Sequence, residues 1–211
     1  IGDSAGAAIT TGDDNIAIGY SSGSAITTAT QNVLIGSTAG DALTTGGENV
    51  AIGWGALSTE DTHGKNVAVG TQALLTQNAG NDGYNVAVGY LAGKLVTTGV
   101  NNTLIGGLAG DAITTGQLNT YVGSNAGSAS TTVSNNTAVG AYAFDAGTGA
   151  DNTALGSGAL GGGSNSGSDN TGVGKDAGNA ISSGTSNNLV GSLAGDALTT
   201  GSYNEVLGVS A

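Results

Sequence analysis

Residues 33–49 read VLIGSTAGDALTTGGEN, and residues 50–66, directly after them, read VAIGWGALSTEDTHGKN. Both stretches open with apolar residues, have Gly at position 4 and end with Asn at position 17, counted from the first residue of each stretch. Self-similarity at a fixed period is the sequence signature of a repeat architecture, in which each unit stacks on the next.

The same unit accounts for the whole chain. Eleven complete units begin at Ile16, Val33, Val50, Val67, Val86, Thr103, Thr120, Thr137, Thr153, Thr171 and Asn188. Residues 1–15 end one more unit, and residues 205–211 begin another. We therefore predict a single continuous solenoid segment over residues 1–211, about 13 coils long and cut from a longer array.

Each unit predicts one coil of an all-β solenoid. Positions 1 to 4 suit a strand and positions 10 to 13 a second extended piece, which together indicate a two-sided β-roll with about 17 residues per coil. A helix is disfavoured because Gly recurs several times per unit, at about 1 kcal/mol each in a helix interior. The apolar positions also fail to keep a 3.6-residue period.

Position 3 is branched and aliphatic in every unit, so we expect these side chains to stack in one buried core column. The predicted core column contains Ile1, Ile18, Ile35, Ile52, Val69, Val88, Ile105, Val122, Val139, Leu155, Val173, Val190 and Leu207.

Position 4 is always Gly, as expected where φ is positive or where backbones approach closely. The predicted corner glycines are Gly2, Gly19, Gly36, Gly53, Gly70, Gly89, Gly106, Gly123, Gly140, Gly156, Gly174, Gly191 and Gly208.

Every unit ends with Asn, which is position 17 in most units and is given that number also in the units of 19, 16 and 18 residues. Stacking would turn these residues into a ladder of side-chain amides; a simple turn preference of Asn is the alternative. The predicted ladder contains Asn15, Asn32, Asn49, Asn66, Asn85, Asn102, Asn119, Asn136, Asn152, Asn170, Asn187 and Asn204.

The repeat units are of two types, which differ at positions 8 and 11. In the first, position 8 is Gly and position 11 is usually aliphatic, as in Leu43; in the second, position 8 is itself large, as in Leu57, and position 11 is Glu, Gln or Gly. We expect position 11 to pack on the core only in the first type of unit. Ser130 stands at position 11 of a unit of the first type but is not aliphatic, so we expect it to mark a weakly packed coil.

The strand is apolar on both faces, because position 2 is Ala in most units and Leu, Tyr or Val in others. One face can pack inside the roll. We expect the other, with position 2, and also position 7, to be covered by further copies in a symmetric assembly. The alternative is that Ala at position 2 is merely small and tolerates solvent.

Composition limits the partners. The chain has 41 Gly, no Pro, Cys or Met, and a formal net charge of -12. This charge disfavours nucleic acid and anionic membranes, and no stretch approaches the roughly 20 apolar residues of a membrane span. We therefore expect no nucleic-acid partner, no membrane insertion and no disulfide framework.

Residues 49–53 (NVAIG), 66–70 (NVAVG) and 136–140 (NTAVG) resemble the head repeats of trimeric autotransporter adhesins and similar repeats of bacteriophage tail fibres. The resemblance covers the whole chain. It implies a parallel homotrimer of left-handed β-rolls, extracellular on a cell or virion surface, that attaches to a host receptor or glycan. The unit departs from the adhesin repeat, which is typically shorter and lacks the Thr-Thr-Gly turn, and this favours a tail-fibre or other relative.

The sequence predicts no enzyme and no cofactor. Residues 156–161 (GSGALG) match a dinucleotide fingerprint, but the βαβ context that the motif needs is missing. His63 shares a variable loop with Glu60, Asp61 and Lys65, where acid–base chemistry is conceivable but a solvated surface is favoured.

Two sets of side chains leave alternatives open. Tyr20, Trp54 and Tyr90 at position 5 are either exposed recognition aromatics or packing at the edge of the roll. Acids near the turns could bind Ca²⁺ through oxygen ligands, but their spacing matches no calcium loop and solvation accounts for them. These acids are Asp41, Asp111, Asp145, Asp196, Asp13, Asp14 and Glu48.

The function predicted is that of a structural fibre segment, with an ice-binding solenoid as the alternative. Paired threonines suggest the alternative, at residues 10–11, 27–28, 44–45, 97–98, 114–115, 131–132 and 199–200. Adjacent strand residues point to opposite faces, so only one Thr of each pair would face solvent.

Overall fold

A computed structural model describes all residues, 1–211, as one stack of coils without a helix. Its twelve strands are β1 (Ile16–Ile18), β2 (Val33–Ile35), β3 (Val50–Ile52), β4 (Val67–Val69), β5 (Val86–Val88), β6 (Thr103–Ile105), β7 (Thr120–Val122), β8 (Thr137–Val139), β9 (Thr153–Leu155), β10 (Thr171–Val173), β11 (Asn188–Val190) and β12 (Glu205–Leu207). Each pairs in parallel with the next to form one sheet in chain order. The prediction of an all-β solenoid with about 17 residues per coil is confirmed.

The side of each coil opposite the sheet is not a strand, contrary to the predicted two-sided roll. The amides of Thr27 and Thr28 both donate to the carbonyl of Thr44 in the next coil, at 2.9 and 3.3 Å. The Thr27 hydroxyl donates to the same oxygen at 3.1 Å. Consecutive N–H groups point to opposite sides of a strand, so this convergence defines a bend that stacks without β geometry.

The interior is filled from position 2 of the strand, and the predicted core column at position 3 is wrong. From β2 to β11 the middle residue is buried and its two neighbours are half-buried or exposed. Ile18 exposes 38% of its surface and Leu155 47%. Side chains alternate faces along a strand, so burying position 2 turns positions 1 and 3 outward.

Position 2 faces inward because the coil is thin. A Cβ placed on Gly23 would lie 2.7 Å from a methyl of Leu34 and 2.9 Å from a methyl of Ile26. Leu34 stands at position 2 and Ile26 at position 11, so the two walls of the coil already meet through one large side chain each. Two inward branched side chains from one three-residue strand would overfill this space.

The alanines at position 2 are therefore not available to other copies of the chain. Ala51, Ala68 and Ala87 are fully buried, and so are Leu57 and Leu74, which stand at position 8 in the coils of Ala51 and Ala68. In these two coils the large residue at position 8 supplies the missing volume, whereas the coil of Ala87 has Gly93 there. The alanines at position 7 are buried too in most coils, so the expectation that neighbouring chains cover positions 2 and 7 is wrong.

Ser130 does not mark a loosely packed coil. It is buried beside Tyr121, the bulkiest buried side chain. The Tyr121 hydroxyl donates to Ser130 Oγ at 3.0 Å, and Ser130 Oγ donates to the carbonyl of Gly147 at 3.0 Å. Burial raises the pKa of Tyr121 to about 12. A small polar residue at position 11 leaves room for the tyrosine and satisfies its hydroxyl.

The glycines at position 4 form a column of corners with φ between 131° and 147°. The amide of Gly123 donates to the carbonyl of Ile105 in the preceding coil at 2.7 Å. A Cβ on Gly106 would collide with the carbonyl group of Gly123. Both the backbone angle and the stacking distance thus require Gly.

The asparagines at position 17 connect every pair of neighbouring coils. Each side-chain oxygen accepts the backbone N–H of the next Asn, as Asn102 does from Asn119 at 3.0 Å. The Asn102 amide nitrogen donates to the carbonyl of Gly116 at 2.9 Å. Amide-to-amide bonds occur in some steps only, such as Asn119 to Asn102 at 3.1 Å. The column is mainly a ladder of side-chain amides bonded to backbone.

Candidate functional site

The sheet leaves an apolar surface without a covering layer. We call the side chains at positions 1 and 3 of β1–β12 the outer sheet face. Position 3 is aliphatic throughout, while position 1 is Ile or Val in β1–β5, Thr in β6–β10, and Asn188 then Glu205 at the end. At about 4.8 Å per strand, this face is roughly 50 Å long. Extended apolar patches of this kind mark interaction surfaces.

An aromatic column flanks the outer sheet face at position 5. Tyr20, Trp54 and Tyr90 expose 59%, 55% and 60% of their surface. The ring edges are therefore not packed into the roll, which favours the recognition interpretation over edge packing. Backbone bonds keep this position aligned from coil to coil, as between the amide of Gln72 and the carbonyl of Trp54 at 2.8 Å.

The threonine pairs lie on the opposite side of the rod. In five of the seven pairs the hydroxyl of the first Thr donates to the next coil, as that of Thr97 does to the carbonyl of Thr114 at 3.1 Å. The second Thr of each pair is exposed. One hydroxyl per coil therefore faces solvent on this side, interrupted where Ala79 replaces the second threonine.

The loop around His63 is not wholly solvated, because Glu60 is buried. Glu60 Oε1 accepts the backbone N–H of His63 at 3.2 Å and lies 3.9 Å from His63 Nδ1. Its other oxygen is buried without a hydrogen-bond partner. Burial raises the pKa of Glu60. Position 11 thus points into the coil in the second type of unit as well. The expectation that it packs on the core only in the first type is wrong.

Glu60, Asp61 and His63 each offer one ligand atom, and these atoms lie within 4.8 Å of one another. Two carboxylates and an imidazole are a donor set that Zn²⁺ accepts. Lys65 does not join the group, because its ammonium is paired with Asp82 of the next coil at 2.7 Å. The hydrogen bond from Lys65 lowers the pKa of Asp82.

Replacing Glu60 with Gln is expected to stabilise the rod by about 1 kcal/mol near pH 7, because a buried carboxylate loses its charge. The raised pKa of Glu60 means that the native state binds its proton more tightly than the unfolded state does. The destabilisation is therefore absent below the unfolded pKa and complete above the folded pKa. Urea unfolding at pH 7 and pH 3.5 checks this: the two proteins should differ at pH 7 and converge at pH 3.5.

Two of the acids at position 9, Asp41 and Asp145, are engaged within the rod. Asp41 accepts a hydrogen bond from the Ser58 hydroxyl of the next coil at 2.6 Å. Asp145 accepts one from Ser128 in the preceding coil. Burial raises the pKa of Asp111. These contacts connect neighbouring coils and do not bring three acids together.

The dinucleotide-like stretch at residues 156–161 follows β9 directly and continues into a turn. Ala159 and Leu160 within it are buried in the core. The helix that would hold a pyrophosphate at its N-terminus is absent, so the glycines here serve the corner and turn of one coil.

The chain has no helix that could cross a membrane. Comparison with family models, with curated proteins and with solved structures gives no match. The candidate site therefore rests on geometry: an uncovered apolar sheet face roughly 50 Å long, with an exposed aromatic column beside it.

Proposed function

We propose that this chain is a segment of a structural fibre that self-associates through its outer sheet face. In this proposal the fibre is extracellular, on a cell or virion surface, and serves attachment to a host receptor or glycan. The observation that supports it most is the outer sheet face, in which every strand directs an aliphatic position 3 away from its own core.

Copies of the same chain are the occupants that suit this face. An identical rod has the same coil spacing, so one favourable contact repeats at every level. A parallel arrangement in register sets the aliphatic positions of β1–β5 against each other and the threonines of β6–β10 against each other. An antiparallel arrangement would set the aliphatic residues of β1–β5 against the Thr, Asn and Glu side chains of β8–β12, and burying these polar groups against an apolar surface is costly.

Three copies are proposed on the strength of the resemblance to trimeric adhesins. A stable specific interface buries about 1,200 to 2,000 Å² in total, and a face roughly 50 Å long has the extent for it. With three rods, each outer sheet face would point toward the common axis and the opposite sides would remain in solvent.

Replacing Ile35 and Ile52 with Asp is expected to convert the oligomer to a folded monomer, because two charges per chain would enter an apolar contact without partners. Size-exclusion chromatography with light scattering measures the mass, and circular dichroism reports the fold. The matched control replaces Thr28 and Thr45 with Asp on the opposite, exposed side, which should leave the mass unchanged. A wild-type chain that is monomeric at high concentration would contradict the proposal.

Ice binding is a second candidate, supported by the exposed hydroxyls of Thr11, Thr28, Thr45 and Thr62 at one position in four successive coils. The row is a single residue wide and breaks at Ala79, so we favour the fibre. A thermal-hysteresis assay on the wild-type chain separates the two: a freezing gap that is lost in the variant with Asp at positions 28 and 45 would favour ice binding.

A further inference from the structure

The aromatic column has a regular spacing. Tyr20, Trp54 and Tyr90 occupy position 5 of every second coil among the first five complete coils. Position 5 stays aligned along the rod, because its carbonyl accepts the amide of the following coil throughout; Tyr20 accepts from Thr38 at 2.8 Å and Tyr90 from Leu108 at 2.9 Å. With strands about 4.8 Å apart, two coils separate successive rings by roughly 9.6 Å.

The positions between the rings carry hydroxyl groups. Ser37 and Thr71 occupy position 5 of the two intervening coils and are half-exposed. Their carbonyls accept the amides of Gly55 and Leu91, both at 3.0 Å, while their hydroxyls make no hydrogen bond to another protein group. The column therefore alternates a ring with a hydroxyl over five coils.

We propose that this column binds a neutral, extended chain of β-1,4-linked pyranose sugars that lies parallel to the rod axis. Such a chain turns over at every sugar and repeats at every second one, over a length close to two coils. Each aromatic ring would pack against the apolar C–H face of every second sugar. The hydroxyls of Ser37 and Thr71 would meet the hydroxyls of the sugars between.

The charge of the protein selects a neutral polymer. The net charge of -12 repels acidic polysaccharides, and the column itself, from Tyr20 to Tyr90, has no charged side chain at position 5. Three rings that share one line and one period match a polymer with the same period better than a single sugar. The proposal rests on the proposed attachment function, for which it names the ligand.

Trp54 is the only tryptophan of the chain, so its fluorescence reports on the middle of the column. We expect cellohexaose or chitohexaose to shift its emission to shorter wavelength in a saturable titration, and α-linked maltohexaose to leave it unchanged. The two β-linked probes distinguish a glucan from an N-acetylglucosamine polymer. No response to either, or an equal response to maltohexaose, would overturn the proposal.

Variants test the spacing. Tyr20→Ala and Tyr90→Ala are each expected to weaken binding roughly tenfold, while Tyr142→Ala, an exposed tyrosine outside the column, should not change it. The double variant Thr71→Tyr with Tyr90→Thr keeps the composition and moves one ring by a single coil. It should bind as weakly as Tyr90→Ala; undiminished binding would show that the two-coil spacing is irrelevant and refute the match.

The test separates this site from self-association. Light scattering on Tyr20→Ala and Tyr90→Ala should give the wild-type mass. If the mass falls instead, the rings belong to the contact between copies, and the polysaccharide site is refuted while the fibre proposal stands. If wild type is monomeric and still binds the β-linked probes through the column, the fibre proposal fails and the site stands.

Discussion

Replacing Gly106 with Ala is expected to destabilise the rod by about 2 to 5 kcal/mol, the sum of a strained backbone and an overpacked contact. Gly106 has φ of 133°, where an L side chain is rarely found. The new Cβ would collide with the carbonyl of Gly123, the residue whose amide bonds to Ile105 at 2.7 Å. Relieving the collision would move the next coil and break this hydrogen bond.

Gly107 provides a control one residue away. Its φ is not in the left-handed region, and a Cβ there would meet nothing within 4 Å. Gly107→Ala should change the free energy of unfolding by less than about 0.5 kcal/mol or stabilise slightly, since Ala restricts the unfolded chain. Urea unfolding of both variants, followed by circular dichroism, measures the difference. Equal stabilities would mean that the corner column tolerates a side chain.

The repeat period and the corners were predictable from the sequence, whereas the direction of the strand was not. Gly and Asn recur at fixed positions because only certain residues satisfy a positive φ or an amide ladder, so their chemistry is visible in a single chain. In β1–β5 the strand is apolar at all three positions, as in Val33, Leu34 and Ile35, and alternation there cannot say which face is inside. The larger, branched column proved to be the outer one.

The side-chain volumes at positions 2 and 8 indicate which face of the strand lies inside. Position 8 is large only where position 2 is Ala, as Leu57 is, and it is Gly in every complete coil with a large position 2, such as those of Leu34 and Tyr121. Reciprocal changes of volume are expected of residues that share one closed space. Position 3 shows no such compensation, which fits an uncovered surface. Glu60 stands at position 11, the position of Leu43 in the preceding coil. Alignment of the two units therefore predicts that Glu60 also lies inside.

The candidate surfaces were predictable only in part. Tyr20, Trp54 and Tyr90 could be recognised as a column from the repeat alignment, but their exposure depended on whether position 5 turns away from the roll. That direction depends on the Gly corner at position 4, whose φ above 130° accompanies a bend of the chain after the strand. The exposure of these rings therefore needed backbone geometry that residue types alone do not encode.

Replacing Asn102 with Ala is expected to cost about 2 to 5 kcal/mol, because two backbone groups lose their partners at once. The N–H of Asn119 bonds to Asn102 Oδ1 at 3.0 Å, and the carbonyl of Gly116 accepts from Asn102 Nδ2 at 2.9 Å. Asn119 and Gly116 are buried, so water cannot take the place of the Asn102 side chain. Each unsatisfied buried group costs about 1 to 3 kcal/mol.

Because solenoid coils unfold locally, hydrogen–deuterium exchange is the sharper measurement for Asn102→Ala. Amides of the coil that contains Gly116 and Asn119 should exchange roughly 30-fold faster or more, the equivalent of about 2 kcal/mol, while amides near Asn15 keep their rates. Asn188→Ala is the control, since Asn188 is exposed and its side chain bonds only to Glu205, at 2.9 Å; its exchange should match wild type. Unchanged protection around Asn119 in Asn102→Ala would show that the ladder follows from the turns and does not hold the coils together.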